Sequence, residues 1–222
     1  MLLNLTPSTL ISYIFVLLTA FAVHEFAHAF VANYFGDNTP ALNGRLTLNP
    51  LAHLDVMGSL MLIVAGFGWA KPVPINPYVL ERRSHWAPLW VSLAGPASNL
   101  LMAIVMAIPF RIGLISPLQA QLAIATAQNH FLPTIPQLLL IFVQTNLLLM
   151  LFNLIPVSPL DGEKVLYYLL PPGGQRVMDQ IRPYGPIILL VIVFSSLFLP
   201  GVNILGRILY PALNFLQTLL VG

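Results

Sequence analysis

Three uncharged runs constrain this chain more than any other feature: residues 87 to 110, 135 to 156 and 184 to 199, each close to the roughly 20 residues a helix needs to cross the hydrocarbon core of a bilayer. A fourth run, residues 8 to 34, is longer and apolar except for a cluster near its end. The runs lack the roughly ten-residue alternation of an outer-membrane barrel. In lipid a helix satisfies its own backbone hydrogen bonds, so an all-α polytopic bundle of about five or six membrane segments follows, with the lipid bilayer as its solvent. Only 7% of the 222 residues are charged, and the net charge of +2 is too small and too scattered for a nucleic-acid partner. With no cysteine, disulfides and thiolate metal sites are excluded. No stretch is polar and long enough for a separate soluble domain, so residues 1 to 222 are expected to form one membrane domain.

Two segments are ambiguous. Residues 202 to 221 form a final span or an interfacial helix, since Arg207 and Pro211 interrupt them. Residues 56 to 70 (VMGSLMLIVAGFGWA) are short and carry Gly58, Gly66 and Gly68. If this segment dips into the membrane and returns, Arg45, Lys71, Arg82, Arg83, Lys164, Arg176 and Arg182, seven of the nine basic residues, fall on the cytoplasmic side, and the loop 113 to 134, which has none, falls outside. If it crosses, that bias is lost, so a re-entrant segment is expected. No Lys or Arg precedes Arg45, which favours a retained first helix with its N-terminus outside over a signal peptide.

Near the end of that first helix stands FAVHEFAHAF, residues 21 to 30. Ionisable groups at membrane depth are costly unless they have partners. In a helix His24 and His28 are i and i+4, so both imidazoles share one face and can hold one metal ion. Glu25 is displaced by about 100° around the axis and can reach a water on that metal without displacing it. This is the H-E-x-x-H geometry of zinc hydrolases. With 5 His and 3 Glu in the chain, a chance occurrence has a probability of about one in a thousand. A catalytic zinc site usually has three protein ligands, and NLIPVSPLDGEKVL, residues 153 to 166, offers Asp161 in a segment broken by Pro156 and Pro159. Irregular backbone at membrane depth is tolerated only where protein or a water-filled cavity surrounds it. Taken alone, Leu160-Asp161-Gly162 would read as a turn before the next helix.

These residues resemble the site-2 protease family of intramembrane zinc metalloproteases. The motifs occur in order along nearly the whole chain: HEFAH at 24 to 28, LTLNPLAHLD at 46 to 55, GWAKPVPINP at 68 to 77, GPASN at 95 to 99 and NLIPVSPLDG at 153 to 162. The likeness is to the compact branch, since no segment has room for an inserted PDZ or an appended CBS domain. It implies regulated intramembrane proteolysis in a bacterial cell membrane or an organellar inner membrane. One zinc ion would be bound by His24, His28 and Asp161 on the cytoplasmic side, with Glu25 as general base and a substrate that carries a transmembrane helix. Asn153 falls where the family has an asparagine thought to steady the substrate or the oxyanion. Asn99 of GPASN would lie in an adjoining helix, as an interhelical hydrogen bond or a catalytic group. Val56 stands where the compact branch tends to have proline, so the loop around His53 and Asp55 is expected to differ, and a structural role for that pair is favoured. His85 reads as interfacial, and His130 has no evident role. A metal transporter and a non-catalytic binding relative are the rival readings; single-sided ligands argue against the first and an intact Glu25 against the second.

Overall fold

The computed structural model describes residues 5–65, 68–198 and 203–222. It is helical throughout, with no strand among the described residues. In chain order the helices are α1 (Pro7–Tyr34), α2 (Thr39–Leu42), α3 (Val56–Ala65), α4 (Pro77–Arg83), α5 (Ala87–Arg111), α6 (Pro117–Ala125), α7 (Ile135–Asn153), α8 (Asp161–Leu169), α9 (Pro172–Ile181), α10 (Gly185–Phe198) and α11 (Ile204–Val221). Five stretches are long and apolar enough to cross a membrane: Pro7–Tyr34, Ala87–Arg111, Ile135–Asn153, Pro172–Ser195 and Ile204–Val221.

Local sequence sets the helix starts. Thr6 caps α1 ahead of Pro7, and Thr134 with Gln137 forms a reciprocal capping box on α7, satisfying backbone donors that have no partner within the helix. α5 lies at the centre, packed against α1 and α7 and touching α4, α8 and α11. Small residues make this approach possible: Ala20, Ala29 and Ala32 on α1 and Ala87, Ala103 and Ala107 on α5 are buried. Pro96 and Pro109 lie inside α5 without ending it.

Two boundaries differ from the sequence reading, and the C-terminal end, left open there, is helical. The run 135 to 156 is helical only to Asn153, because Pro156 has no N–H to continue the ladder and pushes Ile155 away from helical dihedrals. The run 184 to 199 gives the 14-residue α10, which continues an amphipathic α9 through a short 3₁₀ turn at Arg182–Tyr184; residue 199 lies outside the described residues. Residues 204 to 221 form one unbroken helix, in which Pro211 costs a single backbone bond and exposed Arg207 sits in the first turn, next to the end of the helix.

The two ends of segment 56 to 70 meet, while Gly66 and residue 67 between them lie outside the described residues. Leu54 and Ala70 form an isolated antiparallel bridge, and the Lys71 N–H donates to the His53 carbonyl at 2.8 Å. Gly58 permits the closure, since a Cβ there would collide with the Trp69 carbonyl. Asp55 starts α3 by accepting from the Gly58 N–H at 2.7 Å. His53 is fully buried, and its Nε2 donates to the Thr47 carbonyl at 2.8 Å. Each member of that pair thus makes a hydrogen bond to the local backbone. Beyond Ala70 the chain runs without helix or strand to Asn76, whose N–H donates to Asp37 Oδ2 at 2.6 Å. Asp37, almost fully buried, thereby ties this run to the end of α1.

Candidate metal centre

His24 and His28 project from α1 toward α5 and α8, and both are buried. Each has its Nδ1 engaged: His24 with Asn99 Oδ1 at 2.6 Å and His28 with the Val91 carbonyl at 2.6 Å. A carbonyl only accepts, so the proton of each imidazole sits on Nδ1 and each Nε2 presents a lone pair. These nitrogens lie 3.1 Å apart, and each is 3.2 Å from Asp161 Oδ2. Asp161 Oδ2 is buried and receives no hydrogen bond among the described residues. Three lone-pair atoms thus converge with no proton between them, an arrangement that repels itself unless a cation lies among them. A tetrahedral zinc with bonds of about 2.0 Å has ligand edges of about 3.3 Å, close to this triangle. His24, His28 and Asp161 form the metal-competent group among the described residues, and they fit zinc in number, donor type and spacing.

Asp161 reaches the imidazoles because α8 begins with it. Leu160 stands at the N-cap, so Asp161 is the first helical residue, where a carboxylate is favoured by the helix dipole, and its side chain faces the histidines instead of capping the turn. Gly162 lets this end of α8 press on the Leu154 and Ile155 carbonyls, where a Cβ would clash. On the other side, Glu163 is gripped by Arg182 through Nη2 at 2.7 Å and Nε at 2.9 Å, which fixes α8 to the turn before α10.

Gly95 completes the cradle. A Cβ at this position would strike His28 Nε2 and lie 2.6 Å from His24 Cε1 and Nε2. The glycine of GPASN thus leaves the space in which the two imidazoles sit. Asn99, one turn further on, carries the interhelical hydrogen bond that was one of its two expected roles, and its own Nδ2 donates to Asn146 Oδ1 on α7 at 2.9 Å. Asn146 escaped the sequence reading, although an amide inside QTNLLLMLF was its signal, since polar groups at membrane depth need partners.

The triangle opens on a cavity of about 450 Å³. Glu25 and Asn153 both line it, as do Trp69, Pro72 and Val73 on one wall and Leu189 of α10 on another. Asn153 donates one amide proton to the Leu149 carbonyl of its own helix at 3.0 Å. His85 stacks edge-on against Trp86 and Tyr168, and His130 is exposed; neither belongs to the metal-competent group.

Residues 12–199 match peptidase family M50. Among curated proteins the chain is similar to YwhC of Bacillus subtilis (strain 168), named as a zinc metalloprotease, with 39% identity over 94% of this chain and 89% of that one. It is also similar to Rip2 of Mycobacterium tuberculosis (strain ATCC 25618 / H37Rv), again named as a zinc metalloprotease, with 33% identity over 80% of this chain. The matched part spans 64% of that Rip2. No solved structure matches. The chain belongs to peptidase family M50, the site-2 protease family, and is a zinc metallopeptidase with a multi-pass helical membrane domain.

Proposed function

We propose that the enzyme hydrolyses peptide bonds within or at the edge of the bilayer, in membrane proteins that carry a transmembrane helix, using one zinc ion held by His24, His28 and Asp161. The observation that carries this reading is the convergence of three buried lone-pair atoms at the head of a cavity that Glu25 also lines. When bound, zinc would polarise the scissile carbonyl and acidify a water. Glu25, next to His24 in the chain and facing the same cavity, takes the proton of the attacking water and delivers it to the leaving amine. Asn153 has spent one amide proton on Leu149; the second would donate to the oxyanion of the substrate.

A substrate helix hides its amides and must unwind to reach the site. The run 71 to 76 borders the cavity, and Pro72 and Pro74 keep it from coiling, so an unwound segment would lie along it in strand-like fashion. An N-terminus outside and a site facing the cytoplasm follow from the basic residues. The closure of Leu54 on Ala70 supports this reading, because it returns Lys71, Arg82 and Arg83 to the side from which Leu54 departs.

Comparison of membrane-protein fragments in cells that carry wild type and Glu25→Gln tests the substrate class. Fragments present only with wild type, with new termini inside or beside a transmembrane segment, are expected. If no fragment depends on Glu25, or if the dependent cuts all lie in soluble domains, the reading fails.

A further inference from the structure

We propose that Asn99 and Asn146 are positioning residues that lock the tautomer of His24, through an amide relay whose direction is set by a backbone carbonyl three helices into the bundle. This rests on the zinc site proposed above. The chain of bonds runs from the Phe142 carbonyl on α7 to Asn146 Nδ2 at 3.0 Å, from Asn146 Oδ1 to Asn99 Nδ2 at 2.9 Å, and from Asn99 Oδ1 to His24 Nδ1 at 2.6 Å.

The direction follows from its far end. The Phe142 carbonyl can only accept, so Asn146 must turn its amide N–H toward it and its oxygen toward Asn99. That oxygen needs a donor, so Asn99 must offer its N–H there and its oxygen to His24. His24 must then donate from Nδ1, which leaves Nε2 bare toward Asp161. Reversing any one amide sets donor against donor or acceptor against acceptor. Asn99 and Asn146 are both 0% exposed, so no bulk water reaches them to repair the mismatch. His28 is set in the same way by one carbonyl, that of Val91, without intermediaries. Both imidazoles thus take their tautomer from the backbone, one directly and one through two amides. Such outer partners of a ligand hold its ring and its lone pair in place, and losing one typically weakens metal binding by about 10–100-fold.

The test uses the full chain in detergent and reads the zinc dissociation constant by chelator competition. In the zinc-free protein, at a pH above imidazole titration, it also reads ¹⁵N shifts, which distinguish the two imidazole tautomers. Asn146→Leu touches no ligand, yet it releases the Asn99 amide to turn; zinc affinity is expected to fall about 10–100-fold, with His24 losing its pure Nδ1–H tautomer. Asn146→Ser, too short to bridge Asn99 and Phe142, is the milder substitute should the leucine variant not fold, with the same expected direction. Asn99→Leu should match the loss. Asn99→Asp keeps an acceptor for Nδ1–H and, protonated, a donor for Asn146, so it should hold zinc within a few-fold of wild type. If wild type binds zinc but a folded Asn146 variant binds it as tightly, with His24 still Nδ1–H, the relay is overturned. If wild type binds no zinc at this site, the fault lies in the zinc reading itself.

Discussion

Exchanging Glu25 for glutamine should lower the rate of cleavage of a membrane-embedded substrate by about 10²–10⁴-fold while one zinc per chain is retained. The two halves of this expectation come from different features. Retention follows because Glu25 lies outside the metal-competent group, which is closed by His24, His28 and Asp161 alone. The loss follows because Glu25 lines the same cavity, and glutamine of nearly equal shape cannot take up a proton. Purified protein in detergent or liposomes, assayed for zinc content and for cleavage, reads both at once. Undiminished cleavage would remove Glu25 from the chemistry, and lost zinc would make it part of the binding site.

Gly95→Ala should disable zinc binding by adding a single methyl group. The new Cβ would overlap His28 Nε2 and approach two His24 ring atoms to 2.6 Å. Retreat is difficult, because α5 is packed on both sides, against α1 and α7, over buried Val91, Ala103 and Ala107. The rings must rotate off the triangle, and each rotation breaks a Nδ1 bond to Asn99 or to Val91. Zinc affinity is expected to drop by about 100-fold, at the upper end of what mis-set ligands lose, with an overpacking cost of about 1–3 kcal/mol in stability. Zinc titration together with thermal unfolding separates the two effects. A variant with wild-type zinc affinity would show that α5 yields and that the glycine is not needed for the cradle.

Much of this was legible in the residues because the determining signals are local. The i, i+4 spacing of His24 and His28 fixes a shared face wherever the helix goes, and the long apolar runs of α1, α5 and α7 make each long enough for a span. Loop charge favours a re-entrant segment 56 to 70, and the Leu54–Ala70 bridge, which glycine at position 58 permits, brings its two ends together. What stayed hidden depends on pairing across the bundle. Nothing in QTNLLLM says that Asn146 faces Asn99, since the choice of face emerges only when α5 and α7 pack. Nothing near Asp37 in the sequence marks it as buried, and its partner, the N–H of Asn76, lies 39 positions away. Pro211 pointed to a break that α11 does not make, because a helix flanked by α7 and α10 keeps its other bonds.

The central claim is that two imidazoles and one carboxylate hold the zinc. X-ray absorption at the zinc edge, on purified full-length protein alongside Asp161→Ala and His28→Ala, addresses it most directly. Wild type should carry one zinc with two imidazole nitrogens and a carboxylate oxygen at about 2.0–2.2 Å, and each variant should lose most of its zinc. A wild-type spectrum without two imidazoles, or full zinc occupancy in both variants, would contradict the account.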